Sequence, residues 1–168
     1  MATRSCKQCA AETDEEQRCK NRTCKYSKFC WIHTRKLTGF TLGKSGIPNS
    51  GTGLFAWKDI PAGKVLLEYK GERITKKAYD ERDSGYGVGY KTRTGRDMVV
   101  DARDTQSGLG RYANDCRPAN VAAGHCPGYN AQFFEWRSPA GRLDVYIEAI
   151  KDIKKGEEIF LNYGDNFF

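Results

Sequence analysis

Glu157-Glu158-Ile159-Phe160-Leu161-Asn162-Tyr163-Gly164-Asp165 is the stretch on which the reading of the chain turns. Ile159-Phe160-Leu161 is a short apolar run of strand-favouring residues, bounded by two acids before it and by Gly164-Asp165 after it. It delivers a tyrosine at its end, for which the plain expectation is a core ring with a satisfied hydroxyl. Immediately upstream, Lys151-Asp152-Ile153-Lys154-Lys155-Gly156 has the look of a β corner, and Lys58-Asp59-Ile60-Pro61-Ala62-Gly63 repeats the same Asp-Ile-x-x-Gly pattern. Two similar corners without a fixed period do not make a repeat protein.

Outward from these corners the chain continues as short strands punctuated by glycine. Leu54 to Trp57, Val65 to Tyr69, Met98 to Asp101, Gln132 to Trp136 and Val145 to Ile150 are β-rich and end at Gly, Pro, Asp or Lys. From Thr41 onward only Thr75 to Arg82 reads as helix. At 168 residues, 39% hydrophobic and 29% charged, the chain fits one folded domain with a small appendage. No apolar run approaches the roughly 18 residues of a spanning helix, and Met1-Ala2-Thr3-Arg4-Ser5-Cys6 lacks the apolar core of a secretory signal. An intracellular protein with no membrane partner is expected.

The first 40 residues differ from the rest. Residues 1–45 hold ten Lys and Arg against four acids, so they carry +6 of the net +7. Five of the seven cysteines lie here, as Cys6, Cys9, Cys19, Cys24 and Cys30, with His33 three residues after the last. So short a segment has too few apolar residues to fold by burial, and in a reducing compartment clustered thiols point to metal rather than to disulfides. A tetrahedral zinc needs four ligands; Cys9, Cys19, Cys30 and His33 are preferred, with Cys24 a competitor and Cys6 the weakest. A loose tail of reactive thiols is the alternative. Tyr26, Phe29 and Trp31 among the basic residues also suit a nucleic-acid surface.

Two further places have the composition of a site. Gly51-Thr52-Gly53 precedes an apolar strand, where glycines let backbone N–H groups approach a ligand, although a hairpin turn explains them equally well. Arg111-Tyr112-Ala113-Asn114-Asp115-Cys116-Arg117-Pro118 is a polar cluster that suits neither strand nor helix.

In order and spacing these places resemble the SET-domain protein lysine methyltransferases. Gly51-Thr52-Gly53-Leu54-Phe55-Ala56 with Glu68-Tyr69-Lys70-Gly71-Glu72 looks like the family's opening motif, Val100-Asp101-Ala102 like its central strand, and Arg111-Tyr112-Ala113-Asn114 like its asparagine motif. Glu148-Ala149-Ile150-Lys151-Asp152-Ile153 through Gly156-Glu157-Glu158 to Tyr163-Gly164 looks like its closing motif. The resemblance spans about residues 41–168. It implies a mainly β, β-clip-like SET fold of small curved sheets with few short helices and a C-terminal pseudoknot. The expected organisation is residues 1–40 as the zinc-stabilised Cys/His segment and 41–168 as the methyltransferase domain.

Carried over, the resemblance puts S-adenosylmethionine against Gly51, Gly53, Leu54, Arg111, Tyr112, Asn114 and Asp115, with Tyr163 as catalytic tyrosine. Tyr86 or Tyr90 supplies a second channel hydroxyl, with Tyr86 preferred. The activity it implies is methylation of a lysine side chain, with a histone tail as substrate, a nuclear location, a structural zinc and a possible nucleic-acid contact through the basic leader. A non-catalytic SET-like chromatin or nucleic-acid binding module is the competing class.

The sequence also departs from the family. Asp115 stands where relatives carry His, residues 116–129 read as an inserted loop of free thiols in preference to a second metal site at Cys116, His125 and Cys126, and either Asn120 or Asn130, preferably Asn130, corresponds to the family's later asparagine. The chain reads as a short form without the cysteine-rich segment that often follows, and Phe168 or Phe167 is a candidate to stack on the adenine.

Overall fold

The computed structural model describes residues 6–23, 28–139 and 142–164. The elements run β1 (Lys7–Gln8), β2 (Arg22–Thr23), α1 (Trp31–Thr38), β3 (Phe40–Lys44), β4 (Thr52–Ala56), β5 (Val65–Glu68), β6 (Glu72–Thr75) and α2 (Lys76–Arg82). They continue with β7 (Gly87–Lys91), β8 (Asp97–Asp101), a 3₁₀ turn (Gly110–Tyr112), β9 (Asn114–Asp115), α3 (Pro118–Ala122), β10 (Ala131–Arg137), β11 (Leu143–Ala149) and β12 (Phe160–Leu161). Small sheets result: β1-β2, β3-β4, β6-β8-β7, β10-β11-β5 and β12-β9. Among the described residues no helix is long and apolar enough to cross a membrane.

The apolar runs read from the sequence become the inner strands. Leu54, Val100, Val145, Ile147, Ile153, Ile159 and Leu161 meet in one cluster shared by the sheets and are almost wholly buried. Each contributes about 1.5–3 kcal/mol by leaving water. The helix expected at Thr75 to Arg82 forms with Thr75 as its cap, whose hydroxyl accepts from Ala78 N at 3.2 Å.

The two Asp-Ile-x-x-Gly corners pair with each other about a local two-fold. Ile60 and Ile153 exchange backbone hydrogen bonds at 2.8 Å in both directions. Asp59 accepts from Lys155 N at 2.8 Å, and Asp152 accepts from Ala62 N at 2.9 Å. Gly63 and Gly156 close the two corners with φ of 76° and 91°, a conformation that side-chain-bearing residues rarely adopt.

This joint aims the C-terminal strand. β12 runs parallel to β9, pairing Phe160 with Asn114 and Leu161 with Asp115. On its other side Ile159 N donates to Leu54 O at 2.7 Å. Asn130 clamps the same strand, its Nδ2 donating to Glu158 O and its Oδ1 accepting from Phe160 N, both at 2.9 Å. β12 is thereby laid between segments far earlier in sequence, the arrangement the pseudoknot expectation requires.

Candidate active site

The β9–β12 pairing sets Asn114 and Tyr163 on one cleft of about 800 Å³. Gly51, Thr52, Tyr86, Arg111, Tyr112 and Asp115 also line it, as do Ser50, Gly85, Arg117 and Asn120. Of the residues expected to contact a cofactor, Gly53 and Leu54 are buried in β4, outside the lining of this cleft. Phe168, Phe167, Cys24 and Tyr26 lie outside the described residues.

Asn114 is fixed from behind. Its Nδ2 donates to Thr52 O at 3.3 Å and to Glu158 Oε1 at 3.1 Å, which leaves the amide oxygen as an acceptor for a ligand. Glu158, 7% exposed, gathers the rear wall: it also accepts from Ser45 Oγ at 2.7 Å and from Gly46 N at 2.9 Å. A Cβ on Gly53 would stand 2.2 Å from Glu158 Oε1, so this glycine makes room for the carboxylate. An acid leading an otherwise apolar strand was the one sequence signal for this role.

Asp115, in the place of the family's histidine, ties three segments together. Its Oδ1 accepts from Tyr163 N at 3.1 Å, its Oδ2 pairs with Arg117, and its backbone oxygen accepts from Asn120 Nδ2 at 2.9 Å. Asn120 thus lines the cleft while Asn130 holds the strand.

The Tyr163 hydroxyl donates to Ala113 O at 2.7 Å. Burial pushes its phenol well above the ordinary tyrosine range, and the Asp115 carboxylate pushes in the same direction. Its ring lies 6.3 Å from that of Phe133, which meets Tyr69 edge-on at 5.3 Å, so the cleft-lining Tyr163 is backed by two further rings. Tyr69 donates to Tyr86 O at 3.0 Å, and its own phenol is likewise raised by burial. The Arg111 guanidinium lies 4.0 Å over the Tyr86 ring and its Nε donates to Ala102 O at 2.7 Å. Tyr86, not Tyr90, shares the cleft with Tyr163; Tyr90 lines a separate groove with Lys91 and Glu135.

A second group of chemical residues lies in the N-terminal segment. One ligand atom each from Cys9, Cys19, Cys30 and His33 come within 4.8 Å of one another. Cys30 caps α1 and His33 sits in its first turn, which brings Cys30 Sγ to 3.3 Å from His33 Nδ1; Cys9 Sγ is 3.7 Å from the same nitrogen. Burial pushes the Cys30 thiol up, but hydrogen bonds from the His33 amide and ring and from Asn21 outweigh it and bring it down to about 6. Three thiols and an imidazole at this separation suit a tetrahedral zinc, whose sulfur bonds are about 2.3 Å. Cys6 stands outside the group.

The inserted loop corrects one expectation. Cys116 and Cys126 are joined in a disulfide instead of standing as free thiols. α3 turns the loop back so that their Cα atoms are 6.1 Å apart, within the range a disulfide spans, and the bond packs against Ile47 and Phe160.

Comparison with known proteins matches residues 51–164 to the model of the SET domain. The chain belongs to the SET-domain family. Over 135 residues it is 33% identical to the histone-lysine N-methyltransferase EZH2 of Chaetomium thermophilum, an alignment covering 75% of this chain and 8% of that protein. Over 116 residues it is 33% identical to the histone-lysine N-methyltransferase set1 of Dictyostelium discoideum, covering 66% and 7% respectively. The chain therefore spans less than a tenth of the length of either relative. Among solved structures it resembles ctPRC2 in an autoinhibited conformation bound to S-adenosylmethionine, with a TM-score of 0.62, 31% identity, and 77% of this chain and 16% of that one covered. The ATXR5 SET domain in complex with a histone H3 di-methylated on R26 shares the fold at a TM-score of 0.60 and 15% identity, over 76% of this chain and 58% of that one.

Proposed function

We propose that the chain is an S-adenosylmethionine-dependent protein lysine N-methyltransferase. The observation that carries the reading is the convergence of Asn114, held by Glu158 and Thr52, with Tyr163, held by Asp115 and Ala113, on one cleft. A degenerate binding module has no physical need for both. The cleft has the size of a cofactor pocket, and the Asn114 amide oxygen is an acceptor suited to an ammonium or an exocyclic amine. S-adenosylmethionine, when bound, supplies the methyl group and a positive sulfonium.

The protein's part is to deliver a neutral amine in line. A lysine ammonium, pKa about 10.4 in water, has no lone pair to attack with. The Tyr163 ring, backed by those of Phe133 and Tyr69, disfavours the charged form by desolvation, and the Tyr163 phenol, kept neutral by its raised pKa, adds no anion that would restore it. Tyr163 Oη, Ala113 O and the hydroxyl of Tyr86 are the polar groups that orient the amine and its incoming methyl by ordinary and C–H···O hydrogen bonds. Alignment then supplies most of the acceleration.

The substrate we assign is a histone tail and the location the nucleus, by analogy with the relatives' printed activities. Residues 1–40 serve as a zinc-held brace for the domain at 41–168, with Cys9, Cys19, Cys30 and His33 as ligands. Histones come wrapped in DNA, so a nucleic-acid contact by the leader belongs to the same reading. The test is transfer of radiolabelled methyl from S-adenosylmethionine to core histones, with Tyr163→Phe as control. Label on lysines with the wild type alone is expected; cofactor binding without label on histones or on a lysine-rich lysate would overturn the enzymatic reading.

A further inference from the structure

The N-terminal segment and the domain share a surface that neither owns alone. Arg35 of α1 lies between two indoles, its guanidinium carbon 4.8 Å from the Trp31 ring centroid and 4.1 Å from that of Trp57. Lys155, from the second Asp-Ile-x-x-Gly corner, places its ammonium 5.0 Å over the same Trp57 ring. The result is an alternating ladder, Trp31, Arg35, Trp57, Lys155, running from the helix onto the domain, with the exposed Lys58 beside Trp57.

Two properties set it apart from internal packing. Trp31 remains 65% exposed with Arg35 over one face, so its other face is open to a flat partner. Among the described residues no carboxylate pairs with Arg35, Lys58 or Lys155, whereas the neighbouring Lys36 and Lys154 are paired with Asp14 and Asp59. Three cations whose charged ends are held in no ion pair, next to an open indole, complement alternating phosphates and bases. An acidic peptide would satisfy the cations but leave the indole without a stacking partner. An anionic membrane would be met by cations flanking an aliphatic wedge, not by cations laid on ring faces.

We propose that this strip binds single-stranded nucleic acid, one base stacking on the open face of Trp31 and the phosphates meeting Arg35, Lys58 and Lys155. The proposal rests on the nucleic-acid contact suggested for the leader and moves half of it onto the domain. It is independent of methyl transfer, because binding is read without cofactor or histone.

The test is fluorescence anisotropy of a labelled 20-nucleotide single strand with the zinc-loaded full chain, titrated across salt. Wild type binds with log K falling against log salt at a slope of about −2, from three contacts at about 0.7 each. Trp31→Ala weakens binding by roughly five-fold or more. Lys58→Gln and Lys155→Gln each make the slope shallower by about 0.7. These side chains are exposed, and an unchanged melting temperature shows that each variant is folded. Wild-type affinity in Trp31→Ala, an unchanged slope in both lysine variants, or tighter binding to phosphatidylserine vesicles than to the strand overturns the proposal.

Discussion

Replacing Glu158 by Gln changes one oxygen to an NH₂ and nothing in volume, so its effect isolates the hydrogen bonds behind Asn114. The carboxylate accepts from three donors: Ser45 Oγ and Asn114 Nδ2 at Oε1, and Gly46 N at Oε2. If the new amide oxygen sits at the Oε1 place, the NH₂ faces the Gly46 N–H, which has no second orientation. The oxygen therefore takes the Oε2 place and the NH₂ faces Asn114 Nδ2. Ser45 can rotate its hydroxyl, but Asn114 cannot flip without giving up its bond to Thr52 O. One hydrogen bond to a charged group is lost, about 1.5–3 kcal/mol. That free energy held Asn114 in place before cofactor binding, so the S-adenosylmethionine Kd rises by roughly ten- to a hundred-fold. Calorimetric titration of the wild type, Glu158→Gln, Asn114→Ala and the double variant is the assay. In the Asn114→Ala background the Gln substitution should do almost nothing, because the group it misplaces is gone. A Glu158→Gln affinity within two-fold of wild type, or an equal loss in both backgrounds, would refute the reasoning.

Tyr163→Phe keeps the ring and removes the hydroxyl, so turnover should fall by about a hundred-fold with cofactor affinity nearly intact; an unchanged rate removes this tyrosine from the mechanism. Purified protein should carry one zinc per chain, lost in Cys30→Ser, and a metal analysis finding none would sink the assignment of the Cys/His group. The Cys116–Cys126 bond closes a short loop worth about 3 kcal/mol, so a reductant should lower the melting temperature by about 6–10 °C, while no shift would mean the bond does not form. Tyr69 and Tyr163 have folded-state pKa values raised above the unfolded value near 10. Their contribution is whole below about pH 10 and is lost as pH rises through the folded values. Melting temperature should drop above pH 10, and less so in Tyr163→Phe; a flat profile to pH 11.5 would contradict it.

What could be read from the sequence was what local pattern controls. Apolar runs such as Val145 to Ile150 became strands because one face of each had a core to enter, and Thr75 announced its helix by a capping hydroxyl. β7 escaped notice because Gly87 and Gly89 are weak strand formers, and the segment is extended only because β8 supplies its partner. α1 and α3 were missed for the opposite reason: eight and five residues carry little periodicity, and one is anchored by the thiols at its start, the other by Pro118 at its first turn. At the site, Asn114 and Tyr163 were marked by motif, but their meeting rests on a pairing between residues nearly fifty apart. Glu158, Arg117 and Asn120 fell within the quoted motifs and candidates, but the hydrogen bonds they make were not legible, because what they do depends on what faces them.

The parallel seating of β12 beside β9 also sets when the protein can begin to work. A ribosome releases the chain from its N-terminus, and by the time β11 has emerged every strand but β9 and β12 can pair. Asn114 then still lacks Glu158 behind it, and Asp115 lacks the Tyr163 amide. The pocket thus stays half-built until β12 slots home, and since such long-range closure is slow, affinity for cofactor should appear only with this late pairing.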